Sequence, residues 1–248
     1  MIVLKTSKEA SKMQKACTIS AQALKYGGEL VEEGVTTAFI DKKIRQFIQS
    51  KGAVPSFLGY GGFPGSACIS VNDEVIHGIP GSRKLKNGDI VSIDVGAHID
   101  GYHGDNAATF PVGEVSEQDM LLMNATKESL YEAIKLCKPG NRLGDIGFAV
   151  ESYVKKFGFS VVRDYVGHGV GKNLHEEPEV PNYGTPGHGL RLMPGMTLAI
   201  EPMVNADGWK IKVLDDEWTV KTVSGSNSAH FEHTIYITEN EPVILTMP

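Results

Sequence analysis

Apolar side chains recur every three and four residues in two stretches of the chain, residues 13–52 and 120–158. This spacing places them on one face of an α-helix, so each stretch is predicted to form a helical hairpin. The second helix of each hairpin is expected to end at a glycine, Gly52 or Gly158, since glycine readily closes a helix. The matching apolar positions of these second helices are Ile40, Ile44, Phe47 and Ile48 in one and Ile146, Val150, Tyr153 and Val154 in the other.

The two hairpins belong to a longer internal repeat, offset by about 107 residues. Its second part has a shared pattern of a leucine, a glycine and a carboxylate, formed by Leu85, Gly88 and Asp94 and again by Leu192, Gly195 and Glu201. We therefore expect one continuous domain, residues 1–248, with repeats at about 13–110 and 120–237. Two such halves pack around a pseudo-twofold axis, and sites tend to form at interfaces of this kind.

Residues 90–99 alternate between apolar and polar side chains, which predicts a strand with one apolar face. The Asp-Gly pair at 100–101 predicts a two-residue hairpin turn after it. With that turn Gly96 lies opposite Asp105, so Asp94 and Asp105 share a face as diagonal neighbours. Two carboxylates this close repel each other unless a positive group lies between them.

Two further stretches alternate in the same way, 196–201 and 228–237, the second with an interruption at His233, and they place Glu201 and Glu232 on their polar sides. A solvent-exposed sheet face would explain any one of these carboxylates. The repeat-related pair and the hairpin pair together favour a shared site. His168 lies between glycines in Gly167-His-Gly-Val-Gly, where the backbone can approach closely.

Several classes of protein are excluded or disfavoured by the sequence. There is no P-loop, dinucleotide-binding motif or Gly-x-Ser-x-Gly elbow. The net charge of −6 over 248 residues argues against a basic nucleic-acid-binding domain. No run of about 18 apolar residues and no signal-peptide pattern is present, and three widely spaced cysteines suit a reducing cytosol. We therefore expect a globular cytoplasmic protein that binds neither DNA nor membranes.

Seven short stretches together resemble the type I methionine aminopeptidases, a branch of metallopeptidase family M24. They are Val75-Ile-His-Gly-Ile-Pro, Ile93-Asp-Val-Gly, Gly101-Tyr-His-Gly-Asp, Gly167-His-Gly-Val-Gly, His175-Glu-Glu-Pro, Ile200-Glu-Pro and Phe231-Glu-His-Thr. The resemblance covers essentially the whole chain. It implies the α+β pita-bread fold, in which two pseudo-symmetric halves place helices over an antiparallel sheet. It also implies a hydrolase that removes the initiator methionine from nascent proteins whose second residue is small and uncharged.

The resemblance implies a site for two divalent ions, with Co²⁺, Mn²⁺, Fe²⁺ and Zn²⁺ as candidates. The implied metal ligands are Asp94, Asp105, His168, Glu201 and Glu232. Asp94 would bind one ion, His168 and Glu201 the other, and the remaining two carboxylates would bridge them. Four carboxylates would then balance the charge of two divalent ions.

Catalytic and substrate-binding roles also follow from the resemblance. Glu201 would relay a proton from the attacking water, His175 would hydrogen-bond to the scissile carbonyl, and His77 would assist proton transfer to the new amine. The implied methionine pocket is lined by aromatic rings and a polarizable sulfur atom. Its implied residues are Phe57, Tyr60, Phe63, Cys68 and Trp218. The chain departs from many relatives at Gly61 and Leu174, where they carry His and Phe.

Two other functions remain open at this stage. One is an X-Pro-type peptidase of the same fold, although such relatives usually carry an added N-terminal domain for which residues 1–30 leave no room. The other is a non-catalytic pita-bread module that binds proteins or RNA, but such modules typically lose metal ligands. For the leading function, the expected partner is the N-terminus of a nascent polypeptide, with the ribosome as a candidate meeting place, and a monomer is expected.

Overall fold

The computed structural model describes residues 2–247. The helices are α1 (Ser7–Glu29), α2 (Thr37–Ser50), α3 (Glu117–Ile134) and α4 (Leu143–Lys155). The strands are β1 (Val54–Pro55), β2 (Ala67–Val71), β3 (Glu74–Ile76), β4 (Ile90–Ile99), β5 (Tyr102–Pro111), β6 (Ser160–Val161), β7 (Gly167–Gly169), β8 (Glu176–Val180), β9 (Thr197–Ile200), β10 (Met203–Asn205), β11 (Ile211–Val213), β12 (Val220–Thr222), β13 (Ser228–His230), β14 (His233–Tyr236) and β15 (Val243–Ile244). None of the helices in residues 2–247 combines the length and the hydropathy of a membrane-spanning segment.

Local sequence signals explain where the helices begin and end. α1 begins at Ser7, well before the predicted start at residue 13, because Thr6 and Glu9 form a capping box. Thr6 and Glu9 have the residue types and the three-residue spacing that are typical of this motif. Gly52 and Gly158 follow α2 and α4 with φ values of 74° and 83°, which confirms glycine closure of both helices.

Each half of the molecule places a helix pair over an antiparallel sheet. β4 pairs with β1, β2 and β5, and α1 and α2 cover the apolar face of this sheet. The second large sheet has the order β15-β14-β9-β7-β8, and α3 and α4 pack against its apolar side chains. Two smaller sheets, β13-β10-β6 and β11-β12-β3, complete the strands of the described chain. The molecule is therefore α+β with antiparallel sheets, as the sequence predicted.

The β4–β5 hairpin has the predicted register. Gly96 lies opposite Asp105 and Asp94 lies opposite Ala107. The turn at 100–101 has φ values of 54° and 80°, and positive values at both positions define the type I′ turn that suits strand twist. This register places the two aspartates on one face of the sheet.

Matching backbone contacts recur in the two halves. Thr36 bridges to Lys84, and Arg142 bridges to Arg191. The amide of Leu85 donates to the carbonyl of Val35 at 2.9 Å, and that of Leu192 donates to Asn141 at 2.8 Å. The glycines of the repeated motif, Gly88 and Gly195, have φ values of 91° and 92°. These contacts support the proposed internal repeat.

The prediction of one alternating segment over residues 228–237 was wrong. The segment forms two strands, β13 and β14, which belong to different sheets. Between them, the amide of Glu232 donates to the carbonyl of Ala107 at 2.9 Å, and the amide of Ala107 donates back at 3.4 Å. The chain therefore breaks its regular pairing where it crosses from one sheet to the other along β5.

The polar side of β5 is buried against this crossing segment rather than exposed to solvent. The hydroxyl of Thr109 donates to the carbonyl of His230 and accepts from its amide, both at 2.9 Å. The hydroxyl of Thr234 donates to the carbonyl of Asp105 at 2.7 Å. These bonds join the two halves in a seam, and the candidate site lies beside it.

Gly104 allows α1 to lie directly on β5. A Cβ at this glycine would lie 2.4 Å from the backbone nitrogen of Cys17. We expect Gly104→Ala to lower the free energy of unfolding by about 1–3 kcal/mol, because buried backbone must move. Urea denaturation measures this change.

Gly81→Ala is the matched control, because its Cβ would meet no atom closer than 3.9 Å. We expect this control to stay within about 0.5 kcal/mol of wild type. Equal stabilities of the two variants would contradict the close approach of α1 to β5.

Candidate metal centre

All five predicted metal ligands line one cavity of about 660 Å³. Asp94 lies on β4, Asp105 on β5 and His168 on β7, while Glu201 directly follows β9 and Glu232 lies between β13 and β14. Candidate ligand atoms of Asp105, His168 and Glu232 lie within 4.8 Å of one another. The Nε2 atom of His168 is 3.5 Å from Oε1 of Glu201 and 3.9 Å from Oδ2 of Asp105.

Three of these carboxylates have an oxygen that is buried without a hydrogen-bond donor. Among the carboxylates of residues 2–247, the buried oxygens without a partner are Oδ1 of Asp94, Oδ1 of Asp105 and Oε1 of Glu232. Buried polar atoms without a partner are rare, because losing water without replacement costs free energy. Carboxylate oxygens with one imidazole form a donor set that suits Mn²⁺, Fe²⁺ or Co²⁺. The residues present therefore fit divalent metal ions.

The orientation of His168 also fits a metal ligand. Its Nδ1 atom lies 2.9 Å from the carbonyl of Gly169, which can only accept, so Nδ1 carries the proton. Burial, and then the neighbouring His175, lower the pKa of His168 to about 3, so the ring is neutral. The lone pair of Nε2 then faces carboxylate oxygens, an arrangement that is repulsive until a cation lies between them.

The carboxylates repel one another in the protein without metal. Burial, and then the neighbouring carboxylates of Asp94 and Glu201, raise the pKa of Asp105 well above its ordinary value. Burial, and then Asp105 and Asp94, raise the pKa of Glu232 in the same way. The charged form of this cluster therefore needs compensating positive charge.

His230 belongs to this site and was not among the predicted site residues. Its side chain is 2% exposed, and its Nε2 atom lies 3.5 Å from Oε2 of Glu201. That nitrogen has no hydrogen-bond partner among the described residues. In the sequence, His230 could have been found from its position two residues before Glu232, on the same polar side of the predicted strand.

An apolar pocket adjoins the carboxylates in the same cavity. Its wall contains all five predicted pocket residues, Phe57, Tyr60, Phe63, Cys68 and Trp218. Phe63 and Trp218 meet edge to face with ring centroids 5.1 Å apart. Leu174 is buried in this wall, and a Cβ at Gly61 would lie 3.3 Å from the Trp218 ring. A histidine side chain at position 61 would therefore crowd this tryptophan.

The two predicted histidines also line this cavity. His77 has a φ of 57°, an unfavourable value for a non-glycine residue, and its ring packs 5.5 Å from that of Tyr165. Burial lowers the pKa of His77 to about 4, so it is neutral near pH 7. His175 lies with its ring 4.2 Å from that of His168, and its Nδ1 atom is 2.7 Å from the hydroxyl of Tyr60.

Comparison with known proteins gives full-length matches. The model of metallopeptidase family M24 matches residues 11–239. Methionine aminopeptidase 1 of Bacillus subtilis is 53% identical over 246 residues, covering 99% of each chain. The crystal structure of methionine aminopeptidase from Thermotoga maritima superposes with a TM-score of 0.98 and 49% identity, covering 100% of both chains.

A more distant match defines the wider fold group. The prolidase from Pyrococcus horikoshii has a TM-score of 0.81 and 25% identity, and the match covers all of this chain and 64% of the prolidase. Both structural relatives are pita-bread enzymes, so the predicted fold class is confirmed. The matches also favour a metal-dependent aminopeptidase over a non-catalytic binding module. The chain belongs to metallopeptidase family M24.

Proposed function

We propose that this chain is a methionyl aminopeptidase, which hydrolyses the peptide bond after an N-terminal methionine when the second residue is small and uncharged. One observation carries the proposal. Four carboxylates and a neutral imidazole share a cavity with an apolar, aromatic pocket. The carboxylates can bind the metal ions that hydrolysis requires, and the pocket can bind the thioether side chain of methionine.

The proposed metal-binding residues are Asp94, Asp105, His168, Glu201 and Glu232. Two divalent ions bound there would supply an acidified water and polarise the scissile carbonyl. We propose Co²⁺, Mn²⁺, Fe²⁺ or Zn²⁺ as the ions. Support for this choice comes from the mixed oxygen and imidazole donor set.

Three side chains are proposed to handle protons and developing charge. Glu201 accepts a proton from the attacking water and passes it on, and its carboxylate lies 3.5 Å from Nε2 of His168, another proposed metal ligand. His175 donates a hydrogen bond to the carbonyl oxygen as negative charge develops there. His77, which lines the same cavity, assists proton transfer to the new amine.

The apolar wall is proposed to hold the methionine side chain. Phe57, Phe63 and Cys68 are buried together with Leu174, and Trp218 packs against them. Burial of a thioether against aromatic rings is favourable. Tyr60, which is 45% exposed, lies at the rim and links this wall to His175.

The proposed partner is the N-terminus of a nascent polypeptide, encountered at the ribosome. We propose that the protein acts in the cytoplasm as a monomer and binds neither membranes nor DNA. The net charge of −6 supports the last point. The three cysteines are free and buried, which supports a reducing compartment.

The proposed activity predicts that the protein loaded with Co²⁺ or Mn²⁺ releases methionine from Met-Ala-Ser faster than it cleaves X-Pro peptides.

The proposed role of Glu201 predicts that Glu201→Gln lowers kcat by at least about 100-fold, because an amide cannot relay the proton. Glu239→Gln, which changes an exposed carboxylate, should leave kcat unchanged. Full activity of a folded Glu201→Gln variant, or no release by the metal-loaded wild type, would contradict the proposal.

The carboxylate cluster predicts an unusual pH dependence of stability in chelator-treated protein. The folded state raises the pKa of Asp94 to about 7 and that of Glu201 to about 8, chiefly through burial. Folded protein then holds protons that unfolded protein releases, so raising the pH favours unfolding. Buried histidines with lowered pKa values act in the opposite sense, but only below their ordinary pKa of 6.5.

We therefore expect the free energy of unfolding of metal-free protein to fall between pH 6.5 and 8. Urea denaturation at several pH values measures this. Added Mn²⁺ should raise stability by about 2.7 kcal/mol at 100 times its dissociation constant and reduce the slope. A flat profile in chelated protein would contradict the raised pKa values of Asp94 and Glu201 in the folded state.

The contact between Tyr60 and His175 predicts a selective kinetic effect. If the Tyr60 hydroxyl donates to Nδ1, the proton of His175 stays on Nε2, where it can reach the substrate. Tyr60→Phe should lower kcat about five- to tenfold, since one hydrogen bond contributes about 1 kcal/mol. Tyr26→Phe is the control, because Tyr26 stacks on Phe47 outside the cavity. Equal kcat values for wild type and Tyr60→Phe would refute this role of the hydroxyl.

A further inference from the structure

A buried ion pair joins the N-terminal segment to the loop that carries His175. The ammonium group of Lys5 contacts Oε2 of Glu176, and only 4% and 6% of these two side chains are exposed. The same ammonium group donates to the carbonyl of Val3 at 3.1 Å. A buried pair of this kind differs from the surface ion pairs of the chain, because neither partner can turn to water if the other is removed.

Two glycines make room for Lys5, and both belong to motifs singled out in the sequence. A Cβ at Gly171 would lie 2.6 Å from both Oε1 of Glu176 and Cε of Lys5. A Cβ at Gly195 would lie 3.0 Å from the carbonyl oxygen of Lys5. The amide of Lys5 also donates to the carbonyl of Gly195 at 2.7 Å. Lys5 therefore lies between the loop at residues 171–176, which carries His175, and the segment that leads into β9 and Glu201.

Glu176 contacts both ends of the loop at residues 171–176. It is the first residue of β8, where it pairs with Gly169 of β7. Its Oε1 atom accepts the amide of Asn173 at 3.1 Å, while its other oxygen contacts Lys5. His175 lies between these two attachment points, directly before Glu176. The His175 ring is held separately by the hydroxyl of Tyr60.

We propose that Lys5 is a positioning residue for catalysis: through Glu176 it fixes the loop at 171–176 and so sets where His175 meets the substrate carbonyl. Lys5 does not line the catalytic cavity, so its effect passes through Glu176, which does. This inference rests on the proposed function, because it uses the role assigned to His175. A misplacement of a catalytic group by about 1 Å is enough to cost about 100-fold in rate.

The principal test is Lys5→Met, which removes the charge and keeps an unbranched side chain. In metal-loaded protein it should lower kcat for Met-Ala-Ser about 10- to 100-fold and change KM little, because the lost contact acts on the transition state. The double variant Lys5→Met/Glu176→Gln should recover part of the loss, because no unpaired buried charge remains. Lys15→Met is the matched control, since it breaks an exposed pair of α1 with Asp100.

A double-mutant cycle separates positioning from a general loss of stability. In a His175→Ala background, Lys5→Met should have almost no further effect on kcat, since the residue through which it acts is gone. All rates are compared at a temperature where circular dichroism shows that each variant is folded. If Lys5→Met lowers kcat by the same factor in the His175→Ala background as in wild type, the proposal is overturned.

Hydrogen–deuterium exchange of the full-length, metal-free protein tests the same idea without activity. Peptides that cover residues 171–177 should exchange faster in Lys5→Met than in wild type or Lys15→Met, and peptides from α3 should not change. Unchanged exchange of that loop, or a wild-type kcat in folded Lys5→Met, overturns the proposal. Faster exchange in a protein that releases no methionine would support positioning of the loop and refute the proposed function alone.

Discussion

Repulsion among buried carboxylates is the constraint on which the rest of this structure depends. Asp105 and Glu232 are each no more than 3% exposed and share a cavity with the carboxylates of Asp94 and Glu201. Such a cluster is stable only with protons or cations, since burial and mutual repulsion both oppose its charged form. The neutral His168, whose lone pair faces the same oxygens, adds to the need for a cation. The site is therefore preorganised for metal ions at a cost in stability.

The two-half architecture makes this arrangement possible. Each helix pair covers the outer, apolar side of its sheet, which leaves the inner sides free to carry polar groups. The seam between β5 and residues 230–234 satisfies the inner backbone through Thr109, Thr234 and the pairing of Ala107 with Glu232. Because most polar atoms of the seam are satisfied locally, the unpartnered carboxylate oxygens of the described residues all belong to proposed metal ligands. The N-terminal segment adds a second restraint through Lys5, on the loop that faces these ligands.

Part of the fold and of the candidate site could be predicted from particular residues. The Asp-Gly turn at 100–101 defined the hairpin register, and with it the shared face of Asp94 and Asp105, because a type I′ turn allows one pairing. The ligand set, the two histidines and the pocket wall came from family resemblance, and the structure brings them to one cavity. The break at Glu232 could not be predicted, since alternation continues through it and only the backbone of β5 decides where pairing stops.

The sequence by itself determined the helix pairs, the β4–β5 hairpin and the chemical types of the site residues, because periodicity, turn type and side-chain chemistry are local properties. Tertiary structure alone decided which polar faces were buried, since that depends on the other half of the chain. It also brought His230 to Glu201 and Lys5 to Glu176, two contacts between residues far apart or unremarkable in sequence. Neither contact has a local signature, because each arises only when segments distant along the chain exclude water from the same small volume.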